Sequence, residues 1–321
     1  MTALAAPASV DATRVAVSLV ESACRVLEGK RAEVELAVVA LLAGGHLLIE
    51  DVPGVGKTTL ARALARSMGV SFRRLQFTSD LMPADVLGGS VFDRESSRFS
   101  FRPGPIFTHV LLADEINRTT PKTQSALLEA MGERRVSIDG ETHVLEEPFF
   151  VLATQNPEEF YGTYPLPESQ LDRFMIRLRL GYPPREVERA VLARRRGADP
   201  LDSIEPVASR EQILAAQAAV DEVRTEDPLL DYLHEVVLAT RRTPLLELGA
   251  STRAALALER ATRARAVLAG RDFATPDDVK AVAVAVLAHR VRVVRAHDVA
   301  GDRSDAERVI RELLSSIPVP V

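Results

Sequence analysis

At 321 residues the chain is long enough for two domains of roughly 100–200 residues each, and 46% hydrophobic with 26% charged residues excludes a disordered chain and a disulfide scaffold. A net charge of -5 disfavours a broad nucleic-acid surface. The single cysteine, Cys24, permits no internal disulfide and fits a reducing cytoplasm.

The opening "MTALAAPASVDATR" has no basic segment followed by an apolar one, so it does not read as a secretory signal. Apolar residues then recur at helical spacing from Ala12 to Leu42, predicting two helices parted near Gly29 and Lys30. The apolar run Leu36 to Ile49 is broken by Gly44, Gly45 and His46 and is too short to span a bilayer, so no membrane segment is expected.

"HLLIE" (46–50) reads as a buried strand running into a glycine loop, and "TTLARALARSMG" continues as a helix ended by Gly69. "SFRRLQF" (71–77), "HVLLAD" (109–114), "FFVLAT" (149–154) and "FMIRLRL" (174–180) read as further strands, with a helix over 121–132 that begins on Pro121. This alternation predicts an α/β domain with a mostly parallel sheet flanked by helices. Two β-hairpin insertions interrupt it. One, 88–104, turns at Glu95–Ser97; the other, 134–147, turns at Asp139–Gly140, a strong hairpin signal. Past Gly181–Pro184 the strand signal disappears and helices are expected near 185–196, 210–223, 229–242, 252–269, 276–289 and 304–314. The expected division is an α/β domain over 1–182 and an all-α lid over 183–321, and the arginine run 194–196 reads as a solvated helix face.

The stretch "EDVPGVGKTTL" (50–60) is where chemistry first shows. A phosphate loop reads G-x-x-x-x-G-K-[ST], and here Asp51 stands in place of the first glycine. Strand, loop and helix nevertheless follow in the required order. Gly54 and Gly56 let the backbone approach anionic oxygens, Lys57 reaches the β/γ phosphates, and Thr58 offers its hydroxyl to Mg²⁺. Lysine occurs only at positions 30, 57, 122 and 280, so its place after Gly56 is selective. Asp51 stands where the chain leaves the strand, farther from the phosphates.

"VLLADEINR" (110–118) is an apolar strand ending in two acids. Asp114 suits a metal through oxygen contacts, and Glu115 suits orientation or deprotonation of an attacking water. Asn156, directly after the strand 149–154, is placed to bridge a γ-phosphate and that water. Arg173, at the end of a short helix, is the candidate for a charge reaching the nucleotide of a neighbouring subunit. Arg118 and Arg134 are alternative sources of such a charge.

Together "LLIEDVPGVGKTTLARALA", "ADEINRTTPKTQSALLEAMGE", "ATQNPEEFYGTYPLPESQLDRF" and "GASTRA" resemble the AAA+ ATPases and, within them, the MoxR family, over roughly residues 20–295. The aspartate belongs to the resemblance, because MoxR-like loops commonly read E-D/G-V-P-G-x-G-K-T. The resemblance implies a Walker A loop whose ATP-binding residues are Asp51, Val52, Pro53, Gly54, Val55, Gly56, Lys57, Thr58 and Thr59. It implies Asp114 and Glu115 as the Walker B pair, with Mg²⁺ on Thr58 and Asp114. Asn156 corresponds to the first sensor, Arg173 to an arginine finger acting in trans, and Arg253 of "GASTRA" to the second sensor in the lid. Both hairpins fall where the family carries insertions facing the pore of a ring.

The expected protein is therefore a cytoplasmic Mg²⁺-dependent ATP hydrolase that assembles with itself, as a hexameric ring, and remodels or matures a protein client in chaperone-like fashion. A von Willebrand factor A-domain partner is implied by the family, and no third domain is read after the lid. The alternatives are a magnesium-chelatase-like motor subunit, sharing both hairpins, and a DNA-acting AAA+ ATPase. Against the last, no zinc-ligand cluster is present, and the Gly/Phe/Thr-rich loop of transcription activators is missing from 77–109.

Overall fold

The computed structural model describes residues 8–95, 97–156, 162–194, 199–294 and 303–320. Two helices, α1 (Ala8–Cys24) and α2 (Arg31–Leu42), precede β1 (Leu47–Glu50), the glycine loop and α3 (Lys57–Ser67). Next come β2 (Phe72–Gln76), a short α4 (Pro83–Leu87), the hairpin β3 (Gly88–Asp93) and β4 (Arg98–Pro103), β5 (Val110–Asp114) and α5 (Pro121–Glu133). The second hairpin pairs β6 (Arg135–Ile138) with β7 (Glu141–Val144), and β8 (Phe150–Gln155), a single turn α6 (Glu168–Leu171) and β9 (Ile176–Leu178) complete this part.

The sheet is five-stranded and parallel, in the order β2-β5-β8-β1-β9. Its inner strands β5, β8 and β1 are near-continuous buried runs because both faces are covered, whereas the edge strand β2 is largely polar and exposed. Alternation still sorts the side chains. Leu47, Ile49, Leu112 and Leu152 join the core formed with α1, α2, α3 and the helical lid, while Leu48, Leu111, Ala113 and Val151 join a second core under α5 and the hairpins. The first core is continuous from α1 into the lid, for α1 packs on α8 (Arg210–Asp221) and α10 (Thr252–Leu268) as well as on α3.

The remaining helices are α7 (Arg185–Arg194), α9 (Asp227–Arg242), α11 (Pro276–Leu287) and α12 (Arg303–Ser316). Local signals set several of their starts: Ser209 and Gln212 form a capping box on α8, and Thr275 with Asp278 another on α11. The expected continuation of the first lid helix to 196 lies outside the described residues. One expectation is corrected. The lid contains a small antiparallel pair, β10 (Leu246–Leu248) with β11 (Arg292–Val293). These strands are too short to show any period, and they are held by ion pairs of Arg292 with Glu247 and Glu168.

The two hairpins are joined to each other. Phe101 of β4 stacks on His143 of β7 with ring centroids 3.8 Å apart and planes at 14°, and Phe107 meets both rings edge-on. Toward the free end of the first hairpin, Phe92 packs on Phe99, both more than half-exposed or nearly so at 50% and 73%.

Candidate functional site

The glycine loop wraps one end of a cleft because its two central glycines adopt backbone angles that other residues rarely reach. Gly54 has φ of 85° and Gly56 of 101°, and a Cβ on Gly56 would press to 3.2 Å from Leu27. Helix α3 begins immediately at Lys57, so its unpaired N–H groups face the same cleft. The cleft, of about 340 Å³, is lined by Pro53, Gly54, Gly56, Lys57, Thr58, Thr59, Arg74, Gln76, Asp114, Glu115 and Asn156. Val52 and Val55 turn the other way and pack on the core. Burial lowers the pKa of the Lys57 ammonium, while Asp114, Asp51 and Glu115 oppose that by attraction.

The acids arrive at the cleft on neighbouring strand ends. Thr154 of β8 donates to Asp114 Oδ1 at 2.6 Å, and the backbone N–H of Glu115 donates to the same Thr154 hydroxyl at 2.8 Å. Arg74 donates to Asp114 Oδ2 through Nη2 at 2.5 Å and Nε at 3.1 Å. Glu115 sits in the left-handed region at φ of 57°, a conformation that costs a non-glycine residue on the order of 1–3 kcal/mol and gathers at functional sites. Its Oε2 accepts from Gln76 Nε2 at 2.7 Å and from Arg118 at 2.8 Å. Asn156, buried at the end of β8, faces the same space.

Three of these residues were not singled out by sequence reasoning. Arg74 and Gln76 lie on β2 and line the same cleft, and their register against β5 places Gln76 opposite Asp114. Period-two spacing on "FRRLQ" combined with the strand order would have exposed them. Thr154 needed the β5-β8 pairing, which single-strand patterns do not carry.

Asp51 does not line the cleft. Its Oδ1 accepts the N–H of Val52 at 2.8 Å and its Oδ2 the N–H of Gly181 at 2.6 Å, while its carbonyl accepts Lys57 Nζ at 2.5 Å. The acid that breaks the loop pattern is thus bound to the segment leading into the lid.

Arg173 and Arg253 are brought together, but elsewhere. Both line a second cavity of about 410 Å³, with Arg134, Arg260, Arg290 and Leu256, and neither lines the cleft that holds Lys57. Arg173 follows α6 and donates to the carbonyl of Leu128; Arg253 rises from the first turn of α10, which Ser251 caps. Arg118 does not line the first cleft but pairs with its Glu115, and Arg134 pairs with Glu147 beside the second. Arg260 is held on the carbonyl of Ala43 at 2.6 Å.

A parallel sheet with a glycine loop after β1, paired acids after β5 and a helical lid defines an AAA+ ATPase. Residues 46–176 match the model of the ATPase family associated with various cellular activities, and 238–313 match the AAA lid domain. The chain is 49% identical over 302 residues to the uncharacterized protein YeaC of Bacillus subtilis, with 94% of each chain covered. It is 41% identical to the chaperone MoxR1 of Mycobacterium tuberculosis, covering 92% of this chain and 80% of that one. Protein MoxR of Methylorubrum extorquens is 31% identical, with 91% of each covered. A solved structure of a candidate ATPase from Cytophaga hutchinsonii superposes with a TM-score of 0.89 at 34% identity, covering 98% and 97%. The chain belongs to the MoxR family of AAA+ ATPases.

Among the described residues no helix is long and apolar enough to cross a membrane.

Proposed function

We propose that the chain hydrolyses ATP to ADP and phosphate at the first cleft and uses the cycle to remodel or mature a protein client, as a ring of identical subunits. The observation that carries this reading is the convergence of Lys57, Thr58, Asp114, Glu115 and Asn156 on one cavity at the ends of the parallel strands. Open α/β sheets bind ligands in that position.

Phosphoryl transfer to water asks the protein for positioning and for charge that offsets the developing negative charge. In this reading Lys57 and the N-terminus of α3 hold the phosphates, Glu115 orients the attacking water, and Asn156 steadies it. Thr58 and Asp114 fit Mg²⁺, since both line the cleft and offer hard oxygen donors. The ion would supply charge neutralisation between the phosphates.

Arg173 and Arg253 sit together away from Lys57, which supports a role for both on the nucleotide of an adjacent subunit. Residues 1–182 then act as the nucleotide-binding domain and 183–321 as the lid. Resemblance to the family supports a hexameric assembly, a cytoplasmic location and a von Willebrand factor A-domain partner as parts of this reading. A relative of 41% identity bears the name chaperone, which supports the client reading.

The test is ATP turnover by the purified protein against Glu115→Gln. Retained ATP binding with turnover lost supports the assignment; equal turnover in the two proteins refutes it.

A further inference from the structure

We infer that Asp51 is a positioning residue that ties the phosphate loop to the hinge into the helical lid, so that what Lys57 binds is felt at residues 180–182. The inference rests on the nucleotide reading of the cleft. It starts from a carboxylate that the loop pattern does not ask for and that is only 8% exposed. Burying such a group is costly unless hydrogen bonds replace its water. Here the replacement comes from two backbone N–H groups, that of Val52 at 2.8 Å and that of Gly181 at 2.6 Å. The first is within the loop. The second lies 130 residues away, three positions past the last residue of β9 and four before the first of α7.

The hinge is held from its other side by a base. Lys30, 8% exposed in the turn between α1 and α2, donates to the carbonyls of Leu180 and of Tyr182, the latter at 2.9 Å. An acid therefore takes the amide of Gly181 while a lysine takes the carbonyls on either side of it. Gly181 itself has φ of 63°, where a side chain would be strained, and a Cβ there would lie 3.7 Å from Lys30 Nζ. Burial of charge on both sides makes this segment a defined joint rather than a loose linker.

The connection to the cleft runs through the backbone of Asp51. Lys57 Nζ donates to the Asp51 carbonyl at 2.5 Å. A lysine recruited to phosphate oxygens gives up that carbonyl, which frees the 51–52 peptide whose N–H the Asp51 carboxylate also holds. One residue earlier, Glu50 accepts from Arg177 of β9 at 3.3 Å, and Arg177 also faces Glu307 of α12 at 3.5 Å. The end of β1 is thus linked to the hinge by Asp51 and to the last helix by Glu50. Glycine, the ordinary residue at position 51 of such a loop, makes no side-chain bond to Gly181.

Spin labels at the exposed positions Lys122 and His234, in a Cys24→Ser background, report the distance between the sheet domain and the lid. The expected result is a distance in the labelled protein that changes on addition of a non-hydrolysable ATP analogue. That change shrinks in Asp51→Asn and disappears in Asp51→Gly. ATP Kd should shift less than about threefold while kcat falls about tenfold, the strength of one charge-assisted hydrogen bond. A readout free of mutation guards against a misfolded variant: amide exchange in the peptide containing Gly181 should change when the analogue binds to the unmodified protein. Exchange unchanged by bound analogue, or a lid response in Asp51→Gly equal to that of the unmodified loop, overturns the inference. Failure of the unmodified protein to bind the analogue at all would instead overturn the nucleotide reading beneath it.

Discussion

The Arg290 guanidinium is folded over Asp172, the residue immediately before Arg173. Its Nε donates to Asp172 Oδ1 at 2.7 Å, and its other nitrogens reach the carbonyls of Asp172, Phe174 and Met175. Ser251, which caps the helix carrying Arg253, donates to the other oxygen of the same carboxylate at 3.2 Å. Asp172 thereby fixes the lid against the segment that presents Arg173, and the two arginines of the second cavity share one frame.

Arg290→Met should therefore lower both stability and turnover. The Arg290 side chain is 2% exposed and that of Asp172 16%, so removing the cation leaves a largely buried carboxylate without its counter-charge and takes a donor from the carbonyls of Asp172 and Met175. Loss of one partner from such a pair costs about 3–5 kcal/mol. Chemical denaturation provides the measurement, with a large drop in midpoint expected. A loss within about 0.5 kcal/mol, the range of ordinary surface substitutions, would show that the pair holds nothing.

That frame also marks how far the sequence could be read. The parallel sheet, both hairpins and the cleft residues from Lys57 to Asn156 follow from runs of apolar residues and from motifs local in the chain. Arg173 and Arg253 are individually legible too. Their shared cavity is not, because it depends on contacts such as Arg290 with Asp172, separated by 118 residues and carrying no local pattern. Asp51 is the same case: its identity is plain in the sequence, but its partner Gly181 lies 130 residues further along the chain and comes near only because β9 pairs beside β1. Arg74, Gln76 and Thr154 became visible only once strand registers were set. The short β10-β11 pair was missed because two or three residues cannot display a period.

Mixing experiments follow from the separation of the two cavities. If Arg173 and Arg253 serve the adjacent subunit, Arg173→Ala protein still binds ATP but disables its neighbour. Arginines of this kind contribute on the order of 10³–10⁵ in rate. Turnover of mixed assemblies should then be restored when Arg173→Ala is combined with Glu115→Gln, since a site formed between the two kinds of subunit can have both an intact acid and an intact arginine. Each variant alone should be nearly inactive. Absence of any activity above the sum of the separate variants would place Arg173 in its own subunit's site or outside catalysis.

The joined hairpins give a third expectation. His143→Ala removes the stack on Phe101 while leaving both strand pairings intact. Aromatic pairs of this geometry contribute about 0.5–1.5 kcal/mol, so global stability should fall by no more than that. Amide exchange in 88–104 and 134–147 should quicken together, with basal ATP turnover retained. Unchanged exchange in both hairpins would show that they are anchored independently.

Acid sensitivity should arise inside the sheet domain, at His46. Its Nδ1 accepts the N–H of Val151 at 3.1 Å, which requires that nitrogen to be bare, and its Nε2 lies 3.1 Å from the carbonyl of Met131, to which it donates. Burial, with a smaller contribution from Arg134, pushes its pKa from 6.5 down to about 4, against the opposing bond to Met131. The unfolded chain therefore takes up a proton below pH 6.5 that the folded chain refuses until about pH 4. Stability is complete above that window and falls as pH falls through it, because the unfolded state binds more protons. Each pH unit within it costs about 1.4 kcal/mol for this one group. His289 is also buried and its pKa is lowered well below the usual value, so its effect runs in the same direction. Glutamine at position 46 can offer an oxygen to Val151 and an NH₂ to Met131 without a titratable ring. Between pH 7 and pH 5 the unmodified protein should lose about 2 kcal/mol more stability than His46→Gln, read from urea midpoints at each pH. His289 contributes equally to both proteins, so the difference isolates His46; identical losses would mean that His46 is not held neutral in the folded state.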